Sequence, residues 1–275
     1  MKPNNNIGIM QGRLSPKVPE HLQSFPINEW REEFFRAAAL GFQYIEWLVD
    51  DYKLDVNPLF QPEGVCEIKS LVSTTGIEVE SLCAHLFMDG ALLGRQGARP
   101  LHEAKQVLER LIAATEYIGI KTLIIPMMDA ARLNDQRDFN LLKENLHTVD
   151  ISKCSLALEL DLDADNSLAL IEYLDSDTVG LCYDLGNATA FGYYPPAELP
   201  VLMPFIREIH IKDRLINGGS RCLGDGATPV NECLHIACDL GYTGSYILET
   251  PVEDDWLRCA EHNFKFIETI LGEPR

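Results

Sequence analysis

Four segments of the chain repeat one pattern, in which a glycine ends an amphipathic helix and a short apolar run follows. The four segments begin at Gly41, Gly76, Gly119 and Gly241. Glycine is favoured just past a helix C-terminus because it adopts the left-handed backbone conformation without strain. Helices that alternate with buried, nearly continuous apolar strands are typical of a parallel sheet. The pattern therefore predicts an α/β protein built from repeated helix–strand units.

Further apolar runs bring the number of predicted strands to that of a closed barrel. The eight predicted strands span residues 7–10, 45–47, 79–84, 123–125, 155–160, 179–183, 208–211 and 245–248. The length of 275 residues is close to the roughly 250 residues of a (β/α)₈ barrel. Since no Pro- or Gly-rich linker divides the series, we predict a single TIM-barrel domain over residues 1–275. An open doubly wound sheet is the alternative, but no strand is followed by a glycine-rich nucleotide-binding motif.

The composition excludes several classes of partner. The formal net charge is −19, and such an acidic chain repels nucleic acids and anionic membranes. No apolar run reaches the roughly 18 residues that a membrane helix needs. The first residues lack the apolar segment of a signal peptide, so we expect a cytoplasmic protein. The eight cysteines include no CxxC pair, which favours reduced thiols over a disulfide framework.

Each of the last four predicted strands ends with a side chain that can bind a metal ion. These side chains are Glu159, Asp184, His210 and Glu249. The carboxyl ends of all strands lie on one rim of a parallel barrel, so residues far apart in sequence converge there. A single acidic residue at a strand end is usually a helix cap or a solvated loop residue. Four consecutive strand ends favour a shared site instead, because a buried charge without a partner is costly.

Two Glu, one Asp and one His form an oxygen-rich ligand set for one divalent ion. Such a set suits Mn²⁺, Mg²⁺ or Co²⁺, and Zn²⁺ less obviously. A metal ion there polarises a substrate carbonyl and makes the adjacent C–H group acidic. Neighbouring carboxylates then remove and return the proton.

Other polar residues follow the first three strands and the seventh strand. The candidates for binding substrate hydroxyls on the first three strands are Gln11, Arg13, Glu46 and His85. Structural hydrogen bonding explains these four residues equally well. After the seventh strand, Lys212 and Asp213 are interpreted as a solvated ion pair. The glycine-rich stretch 218–226 is a phosphate cradle, a lid or a plain connecting loop.

Several fragments, in their order along the chain, resemble one family. They are GIMQGRL at 8–14, GFQYIEW at 41–47, LE at 158–159, CYDLGN at 182–187, EIHIKDR at 208–214, LGDG at 223–226, GYTG at 241–244 and LE at 248–249. With these fragments the chain resembles, almost end to end, the sugar phosphate isomerase/epimerase family of xylose isomerase-like barrels. That family includes ketose 3-epimerases and inosose dehydratase.

The resemblance implies roles for individual residues. The metal set of the family matches Glu159, Asp184, His210 and Glu249. In the ketose epimerases of the family, the two Glu also act as an acid/base pair on opposite faces of a cis-enediolate. The resemblance assigns this catalytic role to Glu159 and Glu249, and it implies that Arg214 binds substrate oxygens. Relatives usually form dimers or tetramers, which implies a homo-oligomer.

One position departs from the family pattern. The epimerases often carry a histidine three residues after the metal-binding Asp, whereas this chain has Asn187. Asparagine can hydrogen-bond a substrate hydroxyl, but it does not titrate near neutral pH. We therefore predict that Asn187 binds substrate, and the departure leaves the identity of the sugar and the reaction open.

Four functions are compatible with these residues. The first is an epimerase or isomerase of a small ketose, phosphorylated or not, and the second is a dehydratase of an inosose-type cyclitol. The third is an apurinic endonuclease, but the additional His and Asp ligands that a three-metal cluster needs are missing. The fourth is a non-catalytic sugar-binding protein, which the intact pair Glu159 and Glu249 disfavours. We predict the first function, with a small sugar or sugar phosphate as the partner and Mn²⁺ as the metal.

Overall fold

Eight parallel strands close into a barrel. The computed structural model describes residues 6–18, 23–52 and 54–272. Within these ranges the strands are β1 Ile7–Met10, β2 Tyr44–Leu48, β3 Glu78–Cys83, β4 Thr122–Met127, β5 Ser155–Leu160, β6 Val179–Asp184, β7 Ile206–Ile211, β8 Asp213–Arg214, β9 Ser220–Arg221 and β10 Ser245–Leu248. The barrel order is β1-β10-β7-β6-β5-β4-β3-β2, and β8 and β9 form a separate two-stranded hairpin. The predicted (β/α)₈ barrel is therefore confirmed.

Helices surround the barrel and connect its strands. In the described ranges they are α1 Trp30–Leu40, α2 Pro62–Thr75, α3 Leu101–Ile118, α4 Gln136–Leu146, α5 Ala164–Leu174, α6 Leu185–Ala190, α7 Pro195–Leu202, α8 Val230–Asp239 and α9 Trp256–Gly272. Gly41, Gly76 and Gly119 end α1, α2 and α3 with positive φ angles of 98°, 74° and 93°. The glycine pattern of the sequence thus marks real helix ends.

The predicted strands correspond to the barrel strands, and their bounds differ by at most two residues. Strand β1 pairs in parallel with both β2 and β10, which closes the barrel. The extent of the domain, residues 1–275, stays a prediction. No helix in the described part of the chain combines the length and the apolar character needed to cross a membrane. All eight cysteines are free thiols.

Side chains alternate between the two faces of each strand, and this alternation positions the site. Along β7, Ile209 and Ile211 join the main core, which lies largely between the strands and the helices. Glu208 and His210 therefore point into the barrel, and Lys212 continues the same face just after the strand. A separate apolar cluster consists of Met10, Leu48, Cys83, Ile124, Ala157, Cys182 and Ile247. The barrel interior thus combines an apolar layer with polar groups.

A buried carboxylate on α1 organises the loop after β1. The Glu33 side chain accepts hydrogen bonds from the backbone N–H groups of Gly12 at 3.0 Å and Leu14 at 3.1 Å, and from Ser15 Oγ at 2.6 Å. Burial raises the pKa of Glu33 to about 7, although these donors partly offset the shift. Glu33 therefore holds its proton more tightly in the folded chain than in the unfolded chain.

This pKa predicts how stability depends on pH. Between pH 4.5 and pH 7 the folded state binds a proton at Glu33 that the unfolded state has lost, so stability falls as the pH rises. One such group contributes a slope of about 1.4 kcal/mol per pH unit. We expect Glu33→Gln to reduce this slope, measured by urea denaturation at pH 5, 6 and 7. Glu32→Gln, an exposed neighbour on α1, should leave the slope unchanged; an unaltered slope in Glu33→Gln would contradict the assignment.

Candidate active site

The four predicted metal ligands meet at the carboxyl ends of the strands. Glu159 lies near the end of β5, Asp184 ends β6, His210 lies in β7 and Glu249 follows β10. All four side chains are buried. Each offers one ligand atom, and these atoms all lie within 4.8 Å of one another. The structure therefore brings together four residues that are distant in sequence.

Asp184 is held in place by the helix that follows it. Its Oδ1 accepts a hydrogen bond from the Asn187 N–H at 2.8 Å, so Asp184 is the N-cap of α6. An N-cap aspartate satisfies a backbone donor that the first turn of a helix leaves unpaired. The second oxygen, Oδ2, takes no part in this cap and lies 2.8 Å from Lys212 Nζ, so Asp184 already faces a positive charge.

Asn187 connects a predicted substrate-binding residue to a predicted catalytic residue. Its side-chain NH₂ donates to Glu159 Oε1 at 2.9 Å, and its Oδ1 accepts from Arg214 Nη1 at 2.7 Å. Arg214 is fixed further because Nε and Nη2 both donate to the Gly218 carbonyl oxygen, at 3.1 and 2.9 Å. Both polar ends of the Asn187 amide are thus occupied, which sets its orientation.

Lys212 belongs to this site, so the predicted solvated ion pair with Asp213 is wrong. Its Nζ lies 2.8 Å from Asp184 Oδ2 and 2.7 Å from Glu249 Oε1. Lys212 is buried and does not form the predicted solvated pair with Asp213. Because Lys212 lies two residues after His210 on the same face of the chain, it points into the barrel rather than to solvent.

Asp213 organises the loop after β7. Its carboxylate accepts the N–H groups of Gly224 at 3.0 Å, Gly226 at 2.9 Å and Thr228 at 3.0 Å. These donors are used internally, so Gly224 and Gly226 do not form a phosphate cradle, one of the three alternatives for residues 218–226. A Cβ atom at Gly226 would lie 2.0 Å from Asp213 Oδ1. Glycine is therefore required where the loop passes over this carboxylate.

The two predicted catalytic glutamates have very different proton affinities. Burial and the nearby Glu249 carboxylate raise the pKa of Glu159 to about 8. Burial acts in the same direction on Glu249, but Lys212 and the hydrogen bond to His210 outweigh it and hold the pKa of Glu249 well below its usual value. Neighbouring carboxyl groups with separated pKa values are the arrangement that acid/base catalysis needs.

The charge inside the barrel fits a divalent cation. The buried carboxylates on this face of the strands are Glu46, Glu159, Asp184, Glu208 and Glu249. The permanent cations beside them are Lys212 and Arg13. Since these five acidic groups outnumber the two permanent cations, a hard cation bound by oxygen ligands would balance the site once all five are ionised. The donor set and its spacing fit such an ion.

An open cavity of about 650 Å³ lies above these ligands. Its lining includes five predicted residues, Glu159, Glu249, Asn187, Arg214 and His85. Burial lowers the pKa of His85, so its imidazole is neutral and can both donate and accept a hydrogen bond. Site residues predicted at the ends of five different barrel strands therefore face one space.

Two predicted substrate-binding residues do not line this cavity. Gln11 is buried, and its Oε1 accepts the Leu48 N–H at 3.1 Å. Glu46 is fully buried; it accepts from Ser81 Oγ at 3.0 Å and lies 3.3 Å from His210 Nε2. The Glu46 side chain points into the barrel, as its strand position predicts, but both residues lie outside the set of residues that face the cavity.

The family of the chain follows from its fold and a sequence match. A model of the xylose isomerase-like TIM barrel family matches residues 34–270. Because the match covers most of the chain, the chain belongs to the xylose isomerase-like TIM barrel family. The resemblance that the motifs indicate is thereby confirmed.

Individual proteins resemble this chain in sequence or in fold. The L-ribulose-5-phosphate 3-epimerase of Salmonella typhi is 26% identical over 266 residues, which cover 90% of this chain and 91% of that protein. D-psicose 3-epimerase from Clostridium cellulolyticum H10, solved with D-tagatose, superposes with a TM-score of 0.73 at 14% identity, covering 98% of this chain and 100% of that one. A xylose isomerase-like TIM barrel protein from Mycobacterium smegmatis in complex with magnesium superposes with a TM-score of 0.70 at 19% identity, covering 96% of each chain.

The position of Lys212 predicts how a cation affects stability. Removing its charge by Lys212→Met leaves buried carboxylates unpaired, which costs about 3–5 kcal/mol. We expect the metal-free variant to lose this stability in urea denaturation. Added Mn²⁺ should stabilise the variant more than the wild type, because the ion replaces the missing positive charge.

Lys121→Met is the matched control. Lys121 forms an exposed ion pair with Glu80 at 2.9 Å, and exposed pairs contribute only about 0–1 kcal/mol. Equal losses in Lys212→Met and Lys121→Met would show that Lys212 does not balance the buried carboxylates.

Proposed function

We propose that the protein is a metal-dependent epimerase or isomerase of a small ketose or ketose phosphate. The observation that carries the proposal is the meeting of Glu159, Asp184, His210 and Glu249 within 4.8 Å below an open cavity. The similarity to an L-ribulose-5-phosphate 3-epimerase over 90% of the chain supports the sugar epimerase class. Mn²⁺ is the metal we propose, with Mg²⁺, Co²⁺ and Zn²⁺ as the alternatives to be tested.

The two glutamates divide the proton transfer between them. Glu249 is ionised and lines the cavity, so it is suited to remove the proton from the carbon next to the substrate carbonyl. Glu159 also lines the cavity, so it is placed to deliver a proton to the same substrate. The intermediate between the two steps is an enediolate. A divalent ion bound to these side chains supplies Lewis-acid polarisation of the substrate oxygens.

Arg214, Asn187 and His85 orient the substrate. The guanidinium of Arg214 is fixed by Gly218 and by Asn187, so its position costs little ordering when substrate binds. Asn187 contacts Glu159 directly, and a hydroxyl that hydrogen-bonds Asn187 would therefore lie close to the acid/base pair. His85 offers a neutral imidazole on another side of the cavity.

The cavity also suits a phosphorylated sugar. Arg13, Lys17 and Arg214 all line it, and Ser220 adds a hydroxyl donor at its edge. Three cationic side chains near an open mouth attract a phosphate group, even though the whole chain is strongly acidic. We therefore propose that a ketose phosphate is used better than the free ketose.

Solvent isotope exchange tests the reaction. The protein is incubated with ketoses and ketose 5-phosphates in D₂O containing Mn²⁺, and the products are followed by NMR. We expect deuterium to enter at the carbon next to the carbonyl. Glu159→Gln and Glu249→Gln should each lower the rate by about 10²–10⁴-fold, because each removes one proton-transfer group.

The control is Glu198→Gln, which alters a carboxylate that accepts the Tyr183 hydroxyl at 2.6 Å and does not line the cavity. This variant should keep the wild-type exchange rate. Metal removal with a chelator should stop the exchange, and returning each candidate ion in turn identifies the best metal. The proposal fails when the metal-loaded wild type incorporates no deuterium into any ketose or ketose phosphate.

A further inference from the structure

His210 has acidic groups beside both of its ring nitrogens. Its side chain is fully buried. Nδ1 lies 3.1 Å from Glu249 Oε2. Nε2, on the other side of the ring, lies 3.3 Å from both carboxylate oxygens of Glu46 and 3.4 Å from Glu208 Oε1. Of these three glutamates, only Glu249 belongs to the four-residue candidate metal centre.

Glu46 and Glu208 reach this nitrogen from different parts of the barrel. Glu208 precedes His210 by two residues on β7, so both side chains point to the interior. Glu46 comes from β2, and Ser81 on the neighbouring β3 donates to its Oε2 at 3.0 Å. Glu46 Oε1 and Glu208 Oε1 make no hydrogen bond of good geometry to any described residue. His210 Nε2 is therefore the ring donor that these two carboxyl groups face.

The position of the proton on an imidazole ring decides which of its two nitrogens can bind a metal ion. A neutral imidazole has one N–H donor and one lone pair, and only the nitrogen with the lone pair can bind a metal ion. Ionised carboxylates accept hydrogen bonds and do not donate them. When a metal ion occupies the Glu249 side of the ring, Nδ1 must carry the lone pair, and the proton is then on Nε2, where Glu46 and Glu208 are placed to hold it.

We propose that Glu46 and Glu208 are positioning residues that hold the Nε2–H of His210 and so set the metal affinity of the site. The inference rests on the metal centre of the proposed function. Burying two carboxyl groups side by side costs several kcal/mol, and neither group lines the cavity. Orientation of a metal ligand is a role that this placement can perform. Outer contacts of this kind change metal affinity by about 10–100-fold.

Metal titration of Glu46→Gln and Glu208→Gln tests the proposal. Glutamine keeps the shape of the side chain, but its NH₂ group can donate to Nε2 and so favours the tautomer with a blocked Nδ1. We expect the Kd for Mn²⁺, measured by EPR of the free ion, to rise by about 10–100-fold in each variant. Ser81→Ala frees the Glu46 carboxylate to rotate and should raise the Kd by a smaller factor. This third variant keeps the test available should a glutamine variant not fold.

A second readout separates positioning from general stability. In the Zn²⁺-loaded protein, the Nε2–H proton of His210 gives an NMR resonance whose shift reports its hydrogen bond. This resonance should move in Glu46→Gln and Glu208→Gln. Glu198→Gln is the matched control, because it alters a buried carboxylate that touches Tyr183 rather than His210. It should change neither the Kd nor the resonance, whatever its effect on thermal stability.

The outcomes distinguish this inference from the proposed function. Mn²⁺ affinities within threefold of the wild type in both glutamine variants, with an unmoved resonance, would overturn the positioning role alone. Weaker metal binding in the variants, together with a wild type that exchanges no sugar proton, would retain the positioning role and reject the proposed reaction. A wild type that binds neither Mn²⁺ nor Zn²⁺ would overturn both.

Discussion

Acidic groups buried inside the barrel are the constraint on which the rest of the site depends. Five carboxylates converge there, on strands from different parts of the chain, and each loses its hydration on folding. Lys212, between Asp184 and Glu249, offsets part of this cost. The acidic groups that Lys212 does not pair would be balanced by a bound cation. The stability of this interior and its capacity for a cation therefore depend on the same electrostatic balance.

Strand β7 connects three levels of this interior. Its inward-facing residues and their continuation are Glu208, His210 and Lys212, which lie at successive positions along one face. Glu208 lies against Nε2 of His210, as Glu46 does; His210 belongs to the candidate metal centre, and Lys212 lines the cavity. Because a strand is rigid, the spacing between these levels is fixed by backbone geometry. A single element thus relates the acidic base of the barrel to the site where substrate would bind.

Much of this organisation is readable in the sequence, because it follows from local chemistry. Glycines mark helix ends, apolar runs mark strands, and the shared rim of a parallel barrel brings Glu159 and Glu249 together. Lys212 was misplaced because a lysine beside an aspartate is usually solvated. The alternation of Glu208, His210 and Lys212 with isoleucines was the signal that would have placed it inside. Some inward-facing residues, such as Glu46, do not reach the cavity. Whether a residue reaches it depends on its depth along the barrel axis, and the alternation of side chains in the sequence does not give that depth.

The hydrogen bonds of Asp213 determine which part of the loop after β7 can accept new residues. Its carboxylate fixes the base of the loop after β7 through backbone N–H groups of residues 224–228, independently of the metal ligands. The tip of the same loop, with the exposed Leu215 and Ile216, is not part of that arrangement. Other side chains at Leu215 and Ile216 would therefore leave the hydrogen bonds of Asp213 in place. New side chains can be accepted at this exposed tip while the groups inside the barrel are inherited unchanged.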